Sequence, residues 1–409
     1  MVKGNTMNWS EAEIHSTDKN NKQPRMNQTE IGLLPEDWDV KFIKDVSDIV
    51  VGGDVNFSKF SNVQDLKYRY PIFSNTVSNR GLYGYSSSYK VDANSITVIG
   101  RGVGIGKSFS RNGKYTAIGR LIVLDLSSNL LNNVFLSNYI NSYLEIYDES
   151  GGIPQLTGIS LGRYQVPLPP LPEQEAIAEA LSDADAWIES LEQLIAKKRL
   201  IKQGAMQELL TPKEDWEVKK LGEVADFFKG KGLPKSELSD SGGFKCIHYG
   251  ELFTKYKELV GQIHSKTNYN DNTILSKTND VLMPTSDVTP RGLATASCIK
   301  EEGVILGGDI LIVRFKSIID GLFFSYFITN NKEEVLKYVS GSTVYHLYGS
   351  ELSNLNFSFP KSLTEQIRIA RILSDMDAEL EALEGKLGKA RKVKQGMMQE
   401  LLTGRVRLV

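Results

Sequence analysis

One stretch of this 409-residue chain is written twice. Residues 173–211, EQEAIAEALSDADAWIESLEQLIAKKRLIKQGAMQELLT, and residues 365–403, EQIRIARILSDMDAELEALEGKLGKARKVKQGMMQELLT, align without a gap and are identical at more than half their positions. Such a repeat dictates the plan before any local detail: block, helix, block, helix. A second echo links LPEDWDVKFIKDV around Trp38 with PKEDWEVKKLGEV around Trp216. A third, weaker one precedes each long repeat: SGGIPQLTGISLGRYQVPLPP from Ser150 and SGSTVYHLYGSELSNLNFSFP from Ser340. Duplication alone is equally compatible with a scaffold that touches no nucleic acid.

The repeated segments carry a coiled-coil seam. Apolar or small residues fall at Ile369, Leu373, Met376, Leu380, Leu383, Leu387, Ala390, Met397 and Leu401, in steps of four and three. The first copy keeps the phase at Ile177, Leu181, Ala184, Ile188, Leu191, Ile195, Ala205 and Leu209. Lys202 and Lys394 interrupt both seams at equivalent positions, and their long stems are expected to cover apolar surface while the ammonium reaches solvent. Pro172, a capping box from Ser362 to Glu365, Pro212 and Gly404 supply starts and stops. Each helix should be roughly 55 Å long. Two of them in one chain suit antiparallel packing and the role of a rigid spacer.

Between the helices the composition turns to β. Ser95–Ile99, Arg120–Leu126 and Val304–Phe315 are strand-like, rich in β-branched residues and bounded by Gly, Asn and Asp. Val134–Tyr147 and Leu322–Tyr338 read as helices, each late in its block. The expectation is an α+β chain with a pseudo-twofold internal repeat: two β-rich domains separated by two long helices forming an antiparallel coiled coil. The boundaries are a polar N-terminal segment at 1–29, a domain at 30–168, a helical spacer at 169–211, a second domain at 212–360 and a second helical spacer at 361–409.

No apolar run approaches the roughly 20 residues of a membrane span, and the start lacks the apolar core of a signal peptide. A cytoplasmic protein without membrane contact is expected. Cys246 and Cys298 have no partners at metal spacing, so reduced buried thiols are the plain expectation. The net charge of −2 argues against a uniformly basic surface, yet the charge is unevenly spread. Between Leu66 and Leu124 the only carboxylate is Asp92, against Lys67, Arg69, Arg80, Lys90, Arg101, Lys107, Arg111, Lys114 and Arg120, with tyrosines interleaved. Basic side chains attract phosphates, and Arg and Asn read purine edges. Lys67, Arg69, Asn75, Asn79, Arg80, Arg101, Lys107, Ser108, Arg111 and Lys114 are therefore candidate DNA-contacting residues. The second block gives a weaker signal: Lys229, Lys231, Lys235, His248, Tyr249, Thr285, Ser286, Arg291, Tyr345 and His346 lie in loop-like segments with acids among them.

The chain offers no active site. GVGIGKS at Gly102–Ser108 resembles a phosphate loop, but Arg101 stands where that loop needs glycine, and a strand rather than a helix follows. A glycine-rich hairpin carrying Lys107 fits better. No adenine-methylation motif, zinc site or nucleophile elbow is present. A self-contained DNA-modifying enzyme would need a diverged site, and methyl transfer by the chain alone would be its signature.

The Pro-rich lead into Glu173-Gln174, the long helix, and its second copy ending MQELLTGRVRL at Met398–Leu408 closely resemble the specificity subunits of Type I restriction-modification enzymes. The resemblance covers nearly everything after about residue 30. It implies two target-recognition domains, each binding one half of an interrupted double-stranded DNA site, with the helices as a ruler. It implies two methyltransferase subunits and motor-nuclease subunits as partners. S-adenosylmethionine, ATP and Mg²⁺ would belong to those partners and not to this chain. The segments IGLLPEDW and LLTGRVRL together mimic LLTPKEDW in the middle, which implies that the two ends lie close together.

Overall fold

The structure is a computed structural model describing residues 25–127, 130–146, 154–316 and 318–408. Most of the polar segment 1–29, the first residues of the third echo from Ser150, and Tyr147 at the end of an expected helix lie outside the described residues. The chain divides into two compact units, Met1–Ser190 with Leu387–Val409, and Leu191–Lys386.

In the first unit, Met26–Thr29 and Gly32–Pro35 form a hairpin. Asp39–Phe42, just after Trp38, pairs antiparallel with Gln165–Leu168, which leads into the long helix. The second echo and the end of the third are thus the two strands of one ribbon. A four-stranded sheet runs Ser108–Arg111, Ser95–Val98, Ile122–Asp125, Asp48–Val51. A five-stranded sheet runs Phe60–Ser61, Leu82–Ser86, Tyr70–Phe73, Lys114–Ala117, Val91–Asp92, with its third and fourth strands parallel. The Asn133–Tyr143 helix is capped by the Asn132 side chain and buries Phe135 and Leu136 against Trp38, Ile96, Val98 and Leu124.

The second unit repeats this scheme. Trp216–Lys220 pairs with Asn356–Pro360. One sheet runs Leu259–Val260, Ser297–Ile299, Asp280–Pro284, Ile310–Phe315, Ala225–Lys229. The other runs Ser265–Thr267, Phe244–Ile247, Ile305–Leu306, Ile274–Leu275, with its central pair parallel. Apart from one added edge strand each, order and direction match the first unit. Val304–Phe315, expected as one strand, is two, because Gly307, Gly308 and a left-handed Asp309 turn the chain between sheets. Leu322–Tyr338 breaks at Asn331 into helices Gly321–Asn330 and Lys332–Leu336.

The long helices are Leu171–Leu210 and Leu363–Leu401, each about 60 Å at 1.5 Å per residue. Within each unit a half of one packs antiparallel on a half of the other with the expected apolar seam, Ile177, Leu181 and Ala390 being buried in the first and Leu191, Ile195, Ile369, Leu373 and Leu380 in the second. The seam lysines do not send their ammonium groups to solvent. In the first unit Lys394 Nζ lies 2.5 Å from Asp185 Oδ1, and in the second Lys202 Nζ lies 2.6 Å from Asp377 Oδ1. These are the same two repeat positions with the helices exchanged, so the duplication that built the seam also supplied its register locks.

A buried glutamine joins each helix to its domain. Gln174 accepts the N–H of Asn132 at 2.8 Å and donates to Leu130 and Pro169 carbonyls. Gln366 accepts the N–H of Asp320 at 2.9 Å and donates to Ile318 and Pro360 carbonyls. In both copies the amide meets the N-cap of the domain helix, so the long helix starts at a fixed place on the domain. The preceding glutamate is used differently. Glu173, 0% exposed, accepts from Trp38 Nε1 at 2.9 Å and from the Arg407 guanidinium, which also grips Asp37. Gly404 takes the left-handed backbone expected of it (φ 65°), and a Cβ there would stand 2.4 Å from Pro35. The last described residues thus close onto the Trp38 strand.

Candidate functional site

Strand direction decides which loops meet. In the first domain Tyr70–Phe73 and Lys114–Ala117 run parallel, so residues 74–81 and 118–121 emerge at one edge. Ser95–Val98, antiparallel to Ile122–Asp125, sends the Gly100–Lys107 hairpin to the same edge. Asn75 stitches them together: it accepts the N–H of Gly100 at 3.0 Å and donates to the Gly119 carbonyl. The hairpin packs tightly on the neighbouring turn, where a Cβ on Gly104 would sit 2.5 Å from Val77. Gly102, Gly104 and Gly106 all have positive φ, which makes this a tight hairpin and not a phosphate loop ahead of a helix. Asn79 and Arg80 adopt left-handed backbones (φ 47° and 50°), and so does Arg120 (φ 64°). Asn79, Arg80, Arg101, Lys107 and Arg120 are exposed, and among the described residues none of these four cations is in an ion pair.

Two of the candidate residues in this domain are buried and bonded within it. Ser108 donates through Oγ to the Ser137 carbonyl at 3.0 Å inside the domain. Arg111 is only 7% exposed; its Nε donates to Thr97 Oγ1 at 3.0 Å, its guanidinium lies 3.6 Å from the Phe73 ring centroid, and it holds the Arg80 carbonyl. Burial, and then the nearby Arg80, lower its pKa to about 10, so it remains a cation at neutral pH. It braces the turn that displays Asn79 and Arg80.

Lys67, Arg69 and Lys114 belong elsewhere. Arg69 and Lys114 stand at the starts of the parallel strands, the opposite edge, roughly 13 Å away at 3.3 Å per residue. There the cations lie on tyrosines: Lys67 is 4.9 Å from the Tyr68 ring centroid, Arg69 5.5 Å from Tyr70 and Lys114 4.7 Å from Tyr89. Lys114 also faces Asp92 at 3.6 Å. One basic run in the sequence is therefore two separate patches.

The second domain gathers its candidates at the equivalent edge. Backbone bonds from Gly307 to Ile247, Gly308 to Gly232, Thr285 to Asp309 and Leu347 to Thr285 bring the loops together. Lys229 pairs with Asp309 at 3.3 Å, while Lys231 and Lys235 are exposed. A two-stranded ribbon, Ser286–Asp287 with Tyr345–His346, sets Ser286 Oγ 3.1 Å from His346 Nδ1. Arg291 sits beside the ribbon, paired with Glu333 at 2.8 Å. His248 packs on Tyr249 with ring centroids 4.7 Å apart, and its pKa is lowered by burial. Thr285 is buried beneath this edge, its hydroxyl 3.4 Å from Asp309 Oδ1.

The sequence reading left two residues out of the site. Arg120 and Asp309 occupy the same turn of the two domains, and the fragments IGRLI and GGDIL around them carry a glycine-led signal too short to find unaided. Among the described residues no group of three or more His, Cys, Asp or Glu side chains could hold a metal ion, and no helix is long and apolar enough to cross a membrane.

A protein-family model described as the Type I restriction modification DNA specificity domain matches this chain twice, over residues 35–198 and 213–389. The specificity subunit of the Type I restriction enzyme MjaVIII from Methanocaldococcus jannaschii is 26% identical over 409 residues, covering 92% of this chain and 94% of that protein. The crystal structure of a Type I restriction-modification S subunit from M. genitalium shares the fold, with a TM-score of 0.62 at 18% identity, covering 89% of this chain and 96% of that one.

Proposed function

The chain belongs to the Type I restriction-modification DNA specificity family, as a specificity subunit, and from that premise we propose that each domain reads one half of a bipartite duplex site. The loop edge built around Asn75 would contact one half-site and the edge around Asp309 the other. In the first, Asn79, Arg80, Arg101 and Lys107 are exposed towards phosphates and base edges; in the second Lys231 and Lys235 are, and the half-buried Ser286 and His346 would exchange their mutual hydrogen bond for one to DNA. The patch of Lys67, Arg69 and Lys114 would serve the backbone. The helices would fix the half-site spacing and dock two methyltransferase subunits, to which S-adenosylmethionine belongs. Motor-nuclease subunits using ATP and Mg²⁺ would complete the restriction enzyme.

The observation that carries this reading is the duplicated domain fold, each copy ending in one loop edge with unburied polar and basic side chains, on a duplicated helix. Exposed apolar residues on the first long helix, Trp187 in the first unit and Leu194 and Ile201 in the second, suit a partner's helix. The test is co-expression with a methyltransferase subunit and mapping of methylated adenines. A bipartite motif is expected, with no methylation or cleavage by the chain alone. Failure to co-purify, or a single uninterrupted motif, would overturn the assignment. Salt-independent behaviour towards duplex DNA would favour a scaffold without DNA contact, because phosphate neutralisation makes affinity fall steeply with salt.

A further inference from the structure

We infer that Arg120 and Asp309 are equivalent base-reading positions of opposite charge, one in each domain. This rests on the reading that both loop edges face DNA. The equivalence is geometric. Each residue sits between the inner parallel strand and the strand that crosses to the other sheet, with φ 64° for Arg120 and 61° for Asp309. The backbone bonds around them match in pairs. Ile118 N–H to Phe73 corresponds to Gly307 N–H to Ile247, both 2.9 Å. Gly52 N–H to Leu121 corresponds to Gly230 N–H to Ile310, both 2.8 Å. Leu156 N–H to Gly100, at 2.8 Å, corresponds to Leu347 N–H to Thr285, at 3.0 Å.

A left-handed backbone suits glycine and is tolerated by aspartate, so of the two positions it is Arg120 whose backbone is strained. Packing does not compensate: Arg120 is exposed and the Asp309 side chain is 45% exposed. A carboxylate at an edge meant for phosphates would repel them. In this structure it is met by Lys229 at 3.3 Å and by the Thr285 hydroxyl at 3.4 Å; on DNA its match is a hydrogen-bond donor, and in the major groove the donors are the exocyclic amino groups of cytosine and adenine. Arg120, with two parallel donors, matches the O6 and N7 acceptors of guanine. Lys229, which pairs with Asp309 at 3.3 Å, would be released towards a phosphate when the carboxylate turns to the base.

The experiment uses the full chain co-expressed with its methyltransferase subunit, with the motif read from methylated adenines. Asp309→Asn keeps the shape and the tolerance for left-handed backbone. It should relax one position of the second half-site, lowering discrimination there by between roughly fivefold and 150-fold, the span of one mismatched base pair. Asp309→Arg should shift that position towards guanine, and Arg120→Asp should shift one position of the first half-site away from it. The base selected in the parent distinguishes cytosine from adenine as the partner of Asp309. Equal loss of methylation at all sequences, or an unchanged preference at every position, would overturn the inference while leaving the bipartite reading intact. A parent chain that yields no bipartite motif would overturn that reading and this inference with it. Should Asp309→Arg fail to fold, Asp309→Asn and the Arg120 variant still decide.

Discussion

The two domains share one frame and differ in what they mount on it. Where the first presents Arg101, Arg120 and Gln155, the second has Ser286, Asp309 and His346 at the corresponding turns. The helix origins differ as well. Glu173 is buried between Trp38 and Arg407, whereas its counterpart Glu365 stays near the surface with Arg368. Duplication thus preserved hydrogen-bonded backbone, the glutamine latch and the register ion pairs, and let edge chemistry diverge. Backbone bonds fix strand positions for any loop sequence, so the edges can change without refolding the domain.

The largest test of this contrast is Arg407→Ala. Among the described residues it leaves the buried Glu173 carboxylate with the Trp38 donor alone and should cost about 3–5 kcal/mol, measured as a lowered denaturation midpoint of the first unit. Arg368→Ala, at the exposed equivalent, should leave the second unit's midpoint unchanged. If both behave alike, the difference between helix origins has no energetic meaning. Lys202→Met comes next. Asp377, which also accepts from Tyr326 at 2.7 Å, would lose a half-buried partner, and about 2 kcal/mol should disappear. Lys394→Met, opposite the more exposed Asp185, should cost less than about 1 kcal/mol.

Smaller effects should separate the edges. Arg101→Ala should reduce the log–log salt slope of DNA binding by about 1, while Ser286→Ala should leave it unchanged, as fluorescence anisotropy would show. Equal slopes would mean that the edges meet DNA alike. The smallest effect concerns pH. Burial lowers the His248 pKa below its unfolded value of about 6.5, so its contribution to stability is complete above that pH and is lost as pH falls through the folded pKa. The second unit should weaken on mild acidification, and His248→Gln should flatten the trend. Residues 30–168 contain no histidine, so the first domain should lack it.

Much of the plan was legible because repetition is a matter of residue identity and periodicity a matter of near neighbours, neither of which needs a fold to be read. The two helices, their seam and their stops follow from spacing alone. The site was harder to read. The nine basic residues between Leu66 and Leu124 form one run in the sequence, but parallel strands carry Arg69 and Lys114 to one edge and Arg80 and Arg101 to the other. Arg111 looks like its neighbours and is a buried brace. Asp309 looks like an obstacle to DNA binding and sits in the turn that Arg120 occupies in the other copy.

The amino-acid order by itself determined the duplication, the helical rods and the mixed β character of what lies between them, since the duplication is a matter of residue identity alone and the other two depend on neighbours a few residues apart. Only the tertiary structure decided which charges share an edge, which lysines are locks and which arginine is buried. Those outcomes depend on strand direction and packing partners far away along the chain.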